Sequence, residues 1–97
     1  MSLVKILIIG TNRPIMETIE RLINKEGIWE ATIAFSAEEA MSVFSEDDFK
    51  VALLCAGLEN ELKVREALLH LKPDVPVVKH YGGGSGLLFA EIHQALG

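Results

Sequence analysis

Two short segments, VKILII at residues 4–9 and VALLC at residues 51–55, are apolar at every position except Lys5. Such runs are too short for a packed helix and rich in branched side chains, the pattern of a strand covered on both faces. Cover on both sides has to come from the intervening segments. In a chain of 97 residues, which is the length of one compact domain, those segments must therefore be the helices of an α/β layer arrangement.

The segments read that way. Ile15, Met16, Ile19, Leu22 and Ile23 recur at helical spacing, with Pro14 suited to a first turn and Gly27 to the position just past a helix end. Trp29, Ala31 and Ile33 then alternate with Glu30 and Thr32, the period of a half-exposed strand at a sheet edge. In SAEEAMSVF, Ser36 and Glu39 stand at capping-box spacing before a stripe of Ala37, Ala40, Met41 and Phe44, and EDD at 46–48 ends that helix. Asn60 is placed to cap a helix over Glu61–Leu71, with Val64, Ala67, Leu68 and Leu71 inward and Pro73 as its stop.

DVPVVKHY is a weaker strand, Val75 to His80. Pro76 cannot donate to a ladder, and Lys79 and His80 are costly to bury, so the edge of the sheet is its expected place. GGGSG at 82–86 leads to a last helix, which Ser85 can cap, with the stripe Leu88, Phe89, Ile92, Ala95 and Leu96. Four strands alternate strictly with four helices through short connections. That predicts one doubly wound parallel sheet with helices on both faces, a single domain over 1–97. Ligands of such sheets sit beyond the carboxyl ends of the strands. Gly10–Asn12, Cys55–Gly57 and Lys79–Gly82 are expected around that mouth.

Composition narrows the function. Nine Lys and Arg face fourteen Asp and Glu, a formal net charge of -5, which argues against a nucleic-acid partner because phosphate binding needs clustered cations. No apolar run approaches the ~20 residues of a membrane span, and no signal-peptide pattern opens the chain, so a cytoplasmic location is expected. Cys55 is the single cysteine, which leaves no internal disulfide and no multi-thiolate zinc site.

KILIIGTNRPIMETIERLI, AFSAEEAMSVF, FKVALLCAGLE and LKPDVPVV resemble, in order and spacing, successive parts of response-regulator receiver (CheY-like, flavodoxin-like) domains over residues 4 to about 78. The resemblance implies a strand order of 2-1-3-4, shortened near the family's fourth and fifth strands. It also implies a degenerate pocket. Gly10 and Thr11 stand where the family's Mg²⁺-binding acids would be, Cys55 where its phospho-acceptor aspartate would be, and Tyr81 near its Thr or Ser. Lys79 is either a lysine of the edge strand or the remnant of the family's lysine, and the edge-strand reading is preferred. Mg²⁺ wants hard oxygen donors, usually with a carboxylate, so neither metal nor phosphoryl transfer is expected.

Sharper readings compete with plainer ones. Cys55 can be a reactive thiol near helix N-termini, but a small buried apolar residue is the commoner case. Asn12 and Arg13 can hold an anion at a helix start, although Thr11 or Asn12 as a plain cap is the better expectation. GGGSG lacks the Lys-Ser/Thr of a phosphate loop. His70, His80 and His93 are expected to be scattered and solvent-exposed, and Glu46, Asp47 and Asp48 to form a solvated loop. Trp29 can anchor a partner, but packing on its own domain is the usual role. The expectation is a non-enzymatic, cofactor-free signalling module that does not take up phosphate and acts by protein interaction. Self-association through the open fourth-strand edge or the last helix is a dependent expectation. The alternative is a small-anion or redox-responsive domain using Cys55.

Overall fold

The computed structural model describes residues 3–55, 58–80 and 85–97. Among these the elements run β1 (Val4–Ile9), α1 (Arg13–Lys25), β2 (Trp29–Ala34), α2 (Ala37–Glu46), β3 (Phe49–Cys55), α3 (Glu61–Leu71), β4 (Val77–His80) and α4 (Ser85–Leu96). The four strands form one sheet in the order β2-β1-β3-β4, and every pairing is parallel. Each crossover carries a helix, as a right-handed parallel connection requires.

Alternation along β1 and β3 divides the interior into two cores. Ile6 and Ile8, with Val51, Leu53 and Cys55, face α1 and α4. Leu7 and Ile9, with Ala52 and Leu54, face α2 and α3. All of these are buried, at about 1.5–3 kcal/mol for each large apolar side chain. The first core is completed by Met16, Ile19 and Ile23 of α1 and by Leu88 and Ile92 of α4. Trp29 belongs to it as well, 2% exposed and packed against Phe89 and His93 with ring centroids 6.0 and 4.9 Å away. It anchors α4 to β2, which leaves no face of the ring for a partner.

Helix starts follow local chemistry. The Asn12 side chain accepts from Ile15 N–H, and Ser36 accepts from Glu39 N–H. The reciprocal Glu39 carboxylate reaches one residue further back than in a standard capping box, accepting from Phe35 N–H at 3.3 Å. Gly27 follows α1 with φ +75°, a left-handed conformation that side chains resist. Asn60 departs from expectation: it sits at φ 56°, ψ 37° and makes no side-chain cap bond. Its turn into α3 uses the left-handed tolerance of asparagine instead of its carbonyl. Ser85 is the first residue of α4, not the residue before it.

Four stripe residues are not inward. Ile15, Leu71 and Leu96 are exposed large apolars, and Ala37 is also exposed. Each lies in the first or last turn of its helix, at the margin of the inward stripe, whereas Met16, Ala40, Val64 and Leu88 in the same first turns are buried. β4 is shorter than expected: its ladder begins at Val77, although Pro76 C=O still accepts from Ala52 N–H at 3.0 Å. At the other edge, Ala31 N–H of β2 donates to Asn24 Oδ1 at 2.8 Å, which closes one donor there.

Candidate functional site

The carboxyl ends of β1 and β3 meet at Gly10 and Cys55. Gly10 N–H donates to Ala34 C=O at 3.1 Å, so β1 stays tied to β2 up to its last residue. A Cβ on Gly10 would stand 2.6 Å from Met16 Sδ and 3.1 Å from Cys55 Cβ. Space, and not dihedral angle, favours glycine here: Met16, in the first turn of α1, occupies the volume that a side chain at residue 10 would take and would have to move aside. Met16 and Cys55 are both buried.

Cys55 is 4% exposed, and its thiol is pushed up from 9.0 to about 11, first by burial and then by the negative charge of Glu91. A helix N-terminus would pull the other way; here desolvation is the larger effect. The thiol is protonated at neutral pH. Its register partner on β4 is His80, whose Nδ1 lies 2.5 Å from Glu91 Oε1, with the two side chains only 7% and 14% exposed. His80 was expected at the surface and is not there. Burial is tolerable because α4 delivers a carboxylate to the ring, satisfying both groups.

The remaining candidates are dispersed around this centre. Thr11 is exposed. Asn12 is occupied as the α1 cap, accepting from Ile15 N–H at 3.2 Å, and the Arg13 guanidinium lies over the Phe35 ring, 4.2 Å from its centroid. Lys79 is a residue of β4, the edge strand of the sheet, and its Nζ is 3.3 Å from Glu61 Oε1. Tyr81, Gly82, Ala56 and Gly57 lie outside the described residues.

The amino end of the sheet is ionic. Lys5 Nζ donates to Asp47 Oδ1 at 2.7 Å, Lys50 pairs with Asp48 at 3.1 Å, and Lys72 Nζ donates to the Asp47 carbonyl. The Lys5 ammonium is held above its ordinary pKa, chiefly by the hydrogen bond to Asp47. The acidic loop is thus matched by lysines. Among the described residues no three His, Cys, Asp or Glu side chains converge as a metal site.

The His80–Glu91 pair is what sequence reasoning missed. The available signal was Glu91 itself, a carboxylate between the inward Leu88 and Ile92. Its meaning depends on a strand eleven residues earlier in the chain.

Neither a protein-family model nor any curated protein matches the sequence. Solved structures do match. A CheY-like response regulator receiver domain from Methanospirillum hungatei JF-1 superposes with a TM-score of 0.72 at 23% identity, over 97% of this chain and 77% of that one. The chain has the receiver-domain fold. An orphan response regulator of H. pylori superposes with a TM-score of 0.81 at 13% identity, over 97% of both chains. The structure of histidine kinase ThkA in complex with the response regulator protein TrrA, a Thermotoga maritima protein, gives 0.79 at 19% identity, over 98% of this chain and all of that one.

Proposed function

We propose that this domain is a receiver-like module of two-component signalling that works by binding a protein and does not take up a phosphoryl group. The observation that carries this reading is the packing at the strand ends. Gly10, Met16 and Cys55 pack together where the resemblance puts one metal-binding acid and the phospho-acceptor, and the second acid position holds the uncharged, exposed Thr11. Mg²⁺ dehydrates reluctantly and is held by carboxylates and phosphate oxygens, so a thioether, a thiol and a glycine offer it nothing. The domain is read as a non-enzyme on similar grounds: among the described residues there no nucleophile has a base and an orienting group presented to solvent.

Ile15, Leu62 and Leu87 are exposed in the first turns of α1, α3 and α4, and helix first turns surround the carboxyl end of a parallel sheet. This rim supports the interaction reading. So does the precedent of TrrA, a protein of the same fold seen in complex with a histidine kinase. Self-association through the β4 edge or α4 is a further part of the proposal, though Pro76 and the brevity of β4 both blunt that edge. A monomer mass by light scattering at high concentration would remove it. Among the described residues no helix is long and apolar enough to cross a membrane, and the acidic net charge argues against nucleic acid. A cytoplasmic setting is proposed on the same grounds.

The thiol-based alternative is disfavoured by the burial of Cys55 and its raised pKa. The deciding experiment is an NMR titration with Mg²⁺ and beryllofluoride. Amide signals of Thr11 and Cys55 are expected to stay in place; saturable shifts at both would end the proposal.

A further inference from the structure

We propose that α4 is a detachable cover of the sheet, latched by the buried His80–Glu91 pair, and that it opens as a unit to uncover Cys55 while the sheet and the other three helices stay folded. Topology singles this helix out. α1, α2 and α3 each carry the crossover between two strands of the sheet, so none can leave without disturbing a strand connection. All four strands precede α4, which carries no crossover of this sheet. What fastens it is side-chain packing. Leu88 and Ile92 enter the core, Phe89 and His93 meet the Trp29 ring, and Glu91 reaches His80 of β4.

The pair differs in kind from the apolar contacts. Hydrophobic packing is non-directional and lets a helix slide or roll on its neighbours, whereas a bond between His80 Nδ1 and Glu91 Oε1 at 2.5 Å is made in one position of the helix only. It therefore sets where α4 docks as well as holding it. Opening returns both groups to water, so release strands no buried polar atom. A variant lacking one partner does the reverse: it leaves the other buried and unpaired in the closed state, which shifts the balance towards opening. Cys55 is the natural reporter. It is the register partner of His80, it is 4% exposed, and it belongs to the core that Leu88 and Ile92 complete. Partial openings of this kind lie below global unfolding in free energy.

The test is the rate of Cys55 alkylation by iodoacetamide in the folded chain at fixed pH and rising urea, set beside global unfolding followed by circular dichroism. At low urea the labelling rate is expected to rise with less than about half the global slope, because the slope scales with the surface exposed. The backbone amides of α4 are expected to exchange hydrogen through the same shallow opening, well ahead of those of β1 and β3. Glu91→Gln is expected to speed low-urea labelling by about 10-fold or more. Leu68→Ala, in the core on the opposite face, is expected to lower global stability yet change low-urea labelling by less than about twofold, since that core persists in the open state. Should Leu68→Ala not fold, the urea slope and the amide exchange of the parent carry the test. Labelling that follows the global slope at every urea concentration, α4 amides as slow as those of β1, or a parental labelling rate in Glu91→Gln would each overturn the proposal.

Discussion

The two ends of this sheet are built from opposite chemistry. At the amino end, lysines on β1 and β3 meet the acidic loop after α2 in the exposed ion pairs Lys5–Asp47 and Lys50–Asp48, and Lys72 beyond α3 donates to the Asp47 carbonyl. At the carboxyl end, where proteins of parallel α/β architecture place their ligands, glycine, methionine and cysteine pack against one another beside a single buried His–Glu pair. Exposed ion pairs gain little and are replaceable. Buried apolar contacts tolerate neither charge nor extra volume. Among the described residues, the end that usually does chemistry is thus the buried, mostly apolar one here, and the end that is usually passive carries exposed ion pairs.

Charge placed at the carboxyl end should break this contrast most severely. Gly10→Asp and Cys55→Asp each bring an unpaired carboxylate into buried surroundings, and a loss of about 3 kcal/mol or more is expected in urea unfolding. A variant as stable as the parent that also binds Mg²⁺ would show the pocket to be only dormant.

Alkaline pH tests the same end without mutation. Because the Cys55 pKa is raised from 9.0 to about 11 in the folded state, the folded protein holds this proton more tightly than the unfolded chain does. The resulting stabilisation is complete below pH 9 and is lost as pH rises to 11, a fall of order 2–3 kcal/mol. Urea midpoints between pH 8 and 11 measure it, and Cys55→Ala should flatten the slope.

Volume comes next. Gly10→Ala forces Met16 aside and is expected to cost about 1–3 kcal/mol. Met16→Ala opens a cavity, but the double variant should be better than the sum of the two by about 1 kcal/mol, since each change fills or frees the same space. Additive losses would mean that the two residues do not share it.

The smallest effect is expected at the amino end. Asp47→Asn should move the unfolding midpoint barely beyond error, with less difference in high salt. The Lys5 pKa is raised above its ordinary 10.5, so the contribution of the pair is complete at neutral pH and fades only as pH passes that value. A large loss at pH 7 would overturn the contrast from the other side.

Much of this architecture was readable before any coordinates. The unbroken runs at 4–9 and 51–55 demanded cover on both faces, and the interleaved helical periods supplied it. Ser36 before its helix and Gly27 after α1 marked boundaries through local bonding alone. The departures arise where tertiary packing, and not local period, decides burial. Ile15, Ala37, Leu71 and Leu96 continue their helical stripes by period, yet in the end turns only part of a stripe is covered: Met16, Ala40, Val64 and Leu88, the fourth residue of each helix, are buried, and these four are not. His80 looks costly to bury in the sequence because its partner, Glu91, arrives only when α4 docks.

The amino-acid sequence by itself determined element order, strand burial and the neutral character of residues 10, 11 and 55, since these depend on residue type and on neighbours a few positions away. Only the tertiary structure decided that Met16 fills the space beside Gly10, that Cys55 keeps its proton, and that His80 is buried with Glu91. Those outcomes depend on the distance between atoms far apart in the chain, and on how much water is left between them.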